Sequence, residues 1–470
     1  MDQSVVTPSA PARRSAFLQF FAPAPAIPVT LTDPAAIDES FRKWRWRVLV
    51  TTMIGYALFY FVRKNLSVAM PMMSKDLGIT KTDLGLFLTL HGLLYGVARF
   101  ANGFLADRSN ARTFMVVGLT ASALMNIFFG LSSAVMTLGI VWMINGWVQG
   151  MGFPPISRLM THWFPPKELA TKQSIWNTSH SIGAGLVVVL CGYLVAPRGE
   201  AIPANWRLCF FVPAALALMG AVFLWRNLPD TPPSVGLPEV KGTEHTSTHA
   251  EDRAGFNAFL MENVFRNKYI WLLAFANFFV YVVRYAVLDW GPTLLSEAKG
   301  VKLVHATWMV TAFEVSGIVG MLIAGWLTDR VFGGRGARAC LVYMALAGIS
   351  VFIFWKLPAH EKTLSTIVLC SAGFFIYGPQ ALVGITVANL ATKRAAATAA
   401  GFTGIFGYAS TVLSGWGLGK LVQTHGWDDG FMALVGMSVI GTLLFAAAWK
   451  AKAHGYAVTA HGSGVEGLKS

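Results

Sequence analysis

The sequence predicts an all-α membrane protein, with twelve transmembrane helices in two pseudo-symmetric six-helix halves. Three observations carry this reading. Only 13% of the 470 residues are charged while 54% are hydrophobic, whereas a soluble chain of this length carries about a quarter charged residues. The apolar residues suffice for around a dozen spans of ~20 residues, and they fall in runs separated by short polar loops. Features of the first six runs recur in the second six. This composition excludes a disordered chain, a disulfide scaffold and an ordinary cytosolic enzyme.

Taken in chain order, residues 1–44 read as a loose tail. Arg13-Arg14 ahead of Phe17-Leu18 has a passing likeness to a twin-arginine signal. Pro-rich sequence and Asp33, Asp38 and Glu39 follow without a long apolar core, so no cleavable signal is expected. Spans then fall near 45–72, 82–105, 113–130, 134–157, 169–196 and 206–226, which makes 45–226 the first half. The stretch 227–267 contains Pro232-Pro233, Glu239, Lys241, Glu244, His245, Glu251 and Asp252 and reads as a linker. A second half, 268–450, holds spans near 268–295, 303–327, 338–355, 362–389, 397–422 and 427–450. A Gly-rich tail, 451–470, follows it.

A net charge of +14 would suggest nucleic acid for a soluble protein. Here the basic residues sit in short loops, so the charge speaks of orientation in a bilayer and no nucleic-acid partner is expected. Arg42, Lys43, Arg45 and Arg47 precede the first span, and alternate loops carry Arg112, Arg158 and Lys167, Arg335 and Arg338, and Lys393-Arg394. Loops on the other side are poorer and mixed in sign, as with Lys75/Asp76, Glu297/Lys299 and Asp428-Asp429. Both termini and the linker are therefore expected in the cytoplasm, in a multi-pass protein of the bacterial inner membrane. Cys191, Cys209, Cys340 and Cys370 are scattered through apolar runs without a C-x-x-C, which gives no sign of a disulfide or a metal site.

Two independent matches reveal a repeat. Gly103-Phe-Leu-Ala-Asp107-Arg108 after the second span corresponds to Gly325-Trp-Leu-Thr-Asp329-Arg330 after the eighth. Tyr60-Phe-Val-Arg63 in the first span corresponds to Tyr281-Val-Val-Arg284 in the seventh. Nearly equal offsets imply a six-span unit duplicated in parallel, the build of a secondary transporter with its site between the halves near the midplane. In the two loops, Gly allows close helix approach, and Asp107 or Asp329 is placed to pair with Arg108 or Arg330 or to cap a helix end. That is a structural or gating role. These loops resemble the signature of the major facilitator superfamily, which implies its fold and is silent on substrate.

Arg63 and Arg284 carry the functional argument. Each lies about fifteen residues, or roughly 22 Å of rise, into its span. An Arg at that depth costs ~2.5–3.5 kcal/mol on insertion scales. One explanation is internal pairing with Asp289, Glu314 or backbone carbonyls. The other is a pair of guanidinium forks across the pseudo-two-fold axis, matched to the oxygens of a phosphate dianion. Polar stripes favour the second. Tyr56, Tyr60 and Arg63 share a helical face, as do Asn277, Tyr281 and Arg284. His91, Tyr95, Arg99 and Asn102 form a third stripe, and Gln173, Asn177 and His180 a fourth. His180 is then a candidate donor to phosphate.

Several stretches resemble the organophosphate:inorganic phosphate antiporter family. They are Gly55-Tyr-Ala-Leu-Phe-Tyr-Phe-Val-Arg-Lys-Asn65, Asp107-Arg-Ser-Asn-Ala-Arg112 and Gly150-Met-Gly-Phe-Pro-Pro155. Ile175-Trp-Asn-Thr-Ser-His180, Tyr281-Val-Val-Arg-Tyr-Ala-Val-Leu-Asp-Trp290 and Ala399-Ala-Gly-Phe-Thr-Gly404 complete the set, and the likeness spans about 42–450. The resemblance implies that Arg63 and Arg284 bind phosphate, that His180 contributes, and that Tyr56, Tyr60, Tyr95 and Tyr281 line the pathway. Two departures stand out. The family usually has Lys where this chain has Arg99. The Asp and Lys of the hexose-phosphate branch are absent around Ala400 and Thr403, which is more like the glycerol-phosphate or phosphoglycerate branch.

No P-loop, H-E-x-x-H, G-x-S-x-G or dinucleotide fingerprint occurs, so neither ATP-driven pumping nor an enzyme is expected, and no cofactor or metal. The expected function is exchange of a small organophosphate for inorganic phosphate by alternating access, by a monomer in the lipid bilayer. The organophosphate is glycerol-3-phosphate, phosphoglycerate or a sugar phosphate. A transporter-like receptor that senses sugar phosphates and signals through a membrane kinase would present the same site. A proton-coupled drug exporter would rest instead on a central carboxylate, for which Glu314 is the candidate.

Overall fold

The computed structural model describes residues 19–29, 31, 33–106, 109–196, 205–240 and 259–451. The first helix, α1 (Pro34–Leu77), starts well before the span expected at 45. Asp33 accepts a hydrogen bond from the Ala35 amide (3.2 Å), and Pro34 occupies the first turn, where no amide donor is needed. Gly78, at φ 64°, ends α1 in the left-handed region that glycine enters freely. The first half continues with α2 (Lys81–Ala106), α3 (Ala111–Leu131), α4 (Val135–Gln149), α5 (Phe153–Trp163), α6 (Pro166–Val195) and α7 (Leu208–Asn227). One span was expected at 134–157; the chain breaks there into α4 and α5. Pro154 and Pro155 cannot donate to the preceding turn, so Gly150, Met151 and Gly152 fold back with tighter bonds.

The second half holds α8 (Lys268–Lys299), α9 (Leu303–Arg330), α10 (Gly336–Lys356), α11 (Lys362–Leu390), α12 (Thr392–Ala409), α13 (Leu418–His425) and α14 (Trp427–Ala447). A π-helical turn, Val412–Gly417, joins α12 to α13, so the span expected at 397–422 is also interrupted. Among the described residues nine helices are long and apolar enough to cross a membrane. The other three expected spans are α1, which carries Arg63 and Lys64, the broken pair α4–α5, and the interrupted α12–α13. Residues 228–240, expected as open linker, pack on the first half. Leu237 and Val240 are buried there, and the Asp230 carboxylate accepts from Arg158 (2.6 Å) and from the Ala24 and Ala111 amides.

The packing repeats between the halves. α1 packs on α6 and α7, α3 on α7, and α2 on α4; correspondingly α8 packs on α12 and α14, α10 on α14, and α9 on α11. Across the interface α6 meets α9, and α2 meets the π turn and α13, a symmetric pair of seams. Both seams lie at one end. There the Lys81 amide donates to the Gln423 side chain (2.9 Å), the Thr89 hydroxyl to the Thr411 carbonyl (2.7 Å), and the Thr311 hydroxyl to the Gly185 carbonyl (3.1 Å). Gly85 and Gly192 permit this approach, since a Cβ at either would meet Gly415 or Thr307. At the opposite end Gly103, Gly325, Gly401 and Gly404 have nothing within 4 Å of a Cβ position. The halves are closed at the end of the 78–80 turn and parted at the end where α1 begins.

Candidate functional site

The site lies just inside the closed end, where α1 and α8 meet. At Val62 the backbone of α1 leaves helical geometry (φ −99°, ψ 19°), one residue before Arg63. The Arg63 guanidinium stands 4.0 Å over the Tyr95 ring and 5.3 Å from the Tyr60 ring. Among the described residues no carboxylate pairs with it. Arg284 is held differently. It donates to the Tyr377 hydroxyl (2.9 Å), lies 4.0 Å from the Glu314 carboxylate, and keeps an unpartnered buried Nε. Tyr377 in turn donates to Glu314. The two arginines are therefore unequal: a carboxylate stands beside buried Arg284, while half-buried Arg63 has tyrosines and no described carboxylate beside it.

The other expected residues gather around them. Tyr56 packs on Tyr60 (5.6 Å between centroids) and Trp176 (4.8 Å), and Tyr95 is within hydrogen-bonding reach of Tyr56 and Arg63. Arg99 lies 3.8 Å over the Phe153 ring and donates to the Tyr408 hydroxyl (2.5 Å), a bond that crosses the halves. With Gly103, Phe153, Ser157 and Arg158 it lines a cleft of about 370 Å³ on the parted side. Tyr281 packs against Tyr285 (5.3 Å) and reaches the backbone of Gly407, where a side chain would crowd it. His180 is buried beside Tyr60 (5.7 Å), within electrostatic reach of both arginines and Lys64. Its Nδ1 faces the Asn177 carbonyl and its Nε2 the Ser181 hydroxyl at 3.3 Å. A phosphate oxygen would have to replace that long second contact.

The loop residues give less. Asp107 and Arg108 lie outside the described residues. Asp329 and Arg330 are exposed at the end of α9 and form no ion pair with a described residue, in keeping with the parted halves there.

Sequence reasoning missed three groups of residues. Lys64 pairs with Asp289 across the halves, and both are buried; the sequence offers Asp289 as an internal partner for the two arginines. A charge within each of two repeat-related helices was the available signal. Tyr408 and Tyr377 lie in interrupted or Pro-containing helices with no stripe to mark them. The polar side chains behind Val62 come from α3 and α4; Asn145 and Gln149 lie four residues apart on one face of α4, a stripe that could have marked them. Among the described residues the carboxylates paired with Arg63, Lys64, Arg99 and Arg284 are Asp289 and Glu314, so four cations against two carboxylates leave a formal surplus of two positive charges there.

The Major Facilitator Superfamily model matches residues 52–415. The chain is 37% identical over 436 residues to a probable hexose phosphate transport protein of Chlamydia trachomatis, covering 90% of this chain and 94% of that protein. It is 38% identical over 442 residues to a glycerol-3-phosphate transporter of Bacillus subtilis, covering 92% and 98%. A membrane sensor protein of Escherichia coli is 36% identical over 429 residues, covering 90% and 96%. Among solved structures, an inward-facing, unoccupied bacterial homolog of the human lysosomal transporter Spinster superposes with a TM-score of 0.72 at 18% identity. The match covers 87% of this chain and 97% of that one, and it shows the fold.

Proposed function

Because the chain belongs to the organophosphate:inorganic phosphate antiporter family of the major facilitator superfamily, a family of multi-pass membrane transporters and not of enzymes, we propose that it exchanges a small organophosphate for inorganic phosphate across the bacterial inner membrane. The organophosphate is glycerol-3-phosphate, phosphoglycerate or a sugar phosphate, and the working unit is a monomer with both termini in the cytoplasm. The parted end then faces the cytoplasm, as the basic loops require.

One observation carries this reading: among the described residues, a surplus of two positive charges walled by tyrosines where α1 and α8 meet. A phosphate dianion matches that surplus, and Arg63 offers it a guanidinium fork that no described carboxylate occupies. Arg284 would turn to it from Tyr377 and Glu314, and His180 from Ser181. The same balance favours exchange. With nothing bound, closing the parted end would seal two unneutralised charges away from water, which raises both repulsion and desolvation cost. A bound dianion cancels them and draws the halves together, so the loaded carrier reorients and the empty one does not. No ATP and no metal ion enters this cycle.

The relative that is a membrane sensor protein supports a second reading, in which this chain is a transporter-like receptor; in that reading it senses sugar phosphates and signals through a membrane kinase. Uptake of labelled phosphate into proteoliposomes containing only this protein separates the two. A transporter accumulates label against internal phosphate, and a receptor binds it without accumulation.

A further inference from the structure

We propose that Asn126, Asn145 and Gln149 are positioning residues for phosphate, acting through the backbone of α1 and touching no ligand themselves. This rests on the reading of Arg63 as a phosphate-binding group. The break at Val62 departs from the geometry in which nearby carbonyls pair with amides one turn on. In an apolar interior each needs another donor. The Val62 carbonyl takes two, from the Asn126 amide (2.9 Å) and the Asn145 amide (3.0 Å). The Phe59 carbonyl takes one from Gln149 (3.0 Å). Just beyond the arginine, Asn65 donates to Asn126 (2.7 Å) and to the Cys209 carbonyl (2.8 Å). All four amide side chains are fully buried. Arg63-Lys64 is thus a dipeptide clamped on both sides.

The clamp decides where the two cations point. Restoring helical ψ at Val62 would rotate everything after it. That would carry Arg63 off Tyr95 and Lys64 off Asp289, which lie on different neighbours. The second half has nothing comparable. α8 runs without such a break past Arg284, and the positions 222 residues on from the three amides are Gly348, Ile367 and Ser371. Arg284 is held from the front, by Tyr377 and Glu314. Arg63 is positioned from behind, with Tyr95 beside its guanidinium and no described carboxylate to compete with a ligand for its N–H groups. The amides thereby substitute for a carboxylate that would compete with phosphate.

Asn145 is the cleanest probe, because among the described residues its side chain bonds to the Val62 carbonyl alone. Binding of labelled inorganic phosphate to the full-length detergent-solubilised protein, with thermal stability in parallel, would be measured for Asn145→Leu, Arg63→Lys and the double variant. Asn145→Leu is expected to weaken phosphate binding about ten-fold or more. In the Arg63→Lys background, where the fork is already lost, it is expected to add nothing. Gln149→Met runs the same cycle should Asn145→Leu fail to insert. Parent-like binding by the single amide variant overturns the proposal, as does a further full-sized loss in the double variant, which would mark general damage. Parent-like binding by Arg63→Lys would instead overturn the reading of Arg63, and this proposal with it.

Discussion

The Lys64–Asp289 pair joins α1 to α8 across the two halves, and Asp289→Asn removes one partner while keeping the shape. Opening the closed end would let water reach both groups, so the pair stabilises the closed end specifically. Breaking a buried pair by removing one partner costs ~3–5 kcal/mol. Part of this is recovered, because the Lys64 ammonium also lies 5.1 Å over the Tyr285 ring, a cation–π contact worth ~0.5–2 kcal/mol. A net ~2–3 kcal/mol remains, a shift of roughly 30- to 150-fold toward opening of that end. Spin labels at Thr80 and Thr424, exposed on opposite halves beside the Lys81–Gln423 bond, report the separation. Asp289→Asn should move the distance distribution to longer values. Lys64→Met with Asp289→Leu, which leaves no buried charge, should lie nearer the parent. A distribution in Asp289→Asn identical to the parent would refute the view that this pair holds the end shut.

Arg63→Lys and Arg284→Lys keep the charge and lose the fork, so each should weaken phosphate affinity more than ten-fold while the protein still inserts. Equilibrium binding of labelled phosphate decides, and parent-like affinity makes that arginine structural. His180→Ala should weaken the same binding about five-fold with unchanged expression; normal affinity with collapsed expression would make it a packing residue. Thr89→Val removes the donor to Thr411 and the acceptor of the Trp416 amide (2.8 Å). It should cost ~1–3 kcal/mol in thermal stability and raise labelling of the closed end, and no change in either would dismiss the threonine as a seam residue.

Periodicity and repetition made the architecture legible before any coordinates. The offset between Tyr60-Phe-Val-Arg63 and Tyr281-Val-Val-Arg284 anticipates the matched packing of α1 and α8 in their halves. The helix breaks were harder to read. Gly150 to Pro155 carried the α4–α5 interruption in plain residues, but apolar length outweighs it in a span reading. The π turn after α12 is set by Thr89 reaching from another helix, and the break at Val62 is met by three amides from two more. Such features are tertiary: Asn145 and Gln149 share a helical face, but nothing local says which backbone they meet. The arginines stood out because charge at mid-span needs a reason. What stands against each, Glu314 with Tyr377 for Arg284 and chiefly the Tyr95 ring for Arg63, depends on contacts between helices distant in sequence.

Proteoliposomes preloaded with labelled phosphate put the exchange mechanism to its most direct trial. External phosphate or organophosphate should release the label rapidly, while substrate-free buffer should release it slowly, because the empty site carries two unneutralised positive charges and resists closing. Equally fast release into substrate-free buffer from intact vesicles would contradict the account.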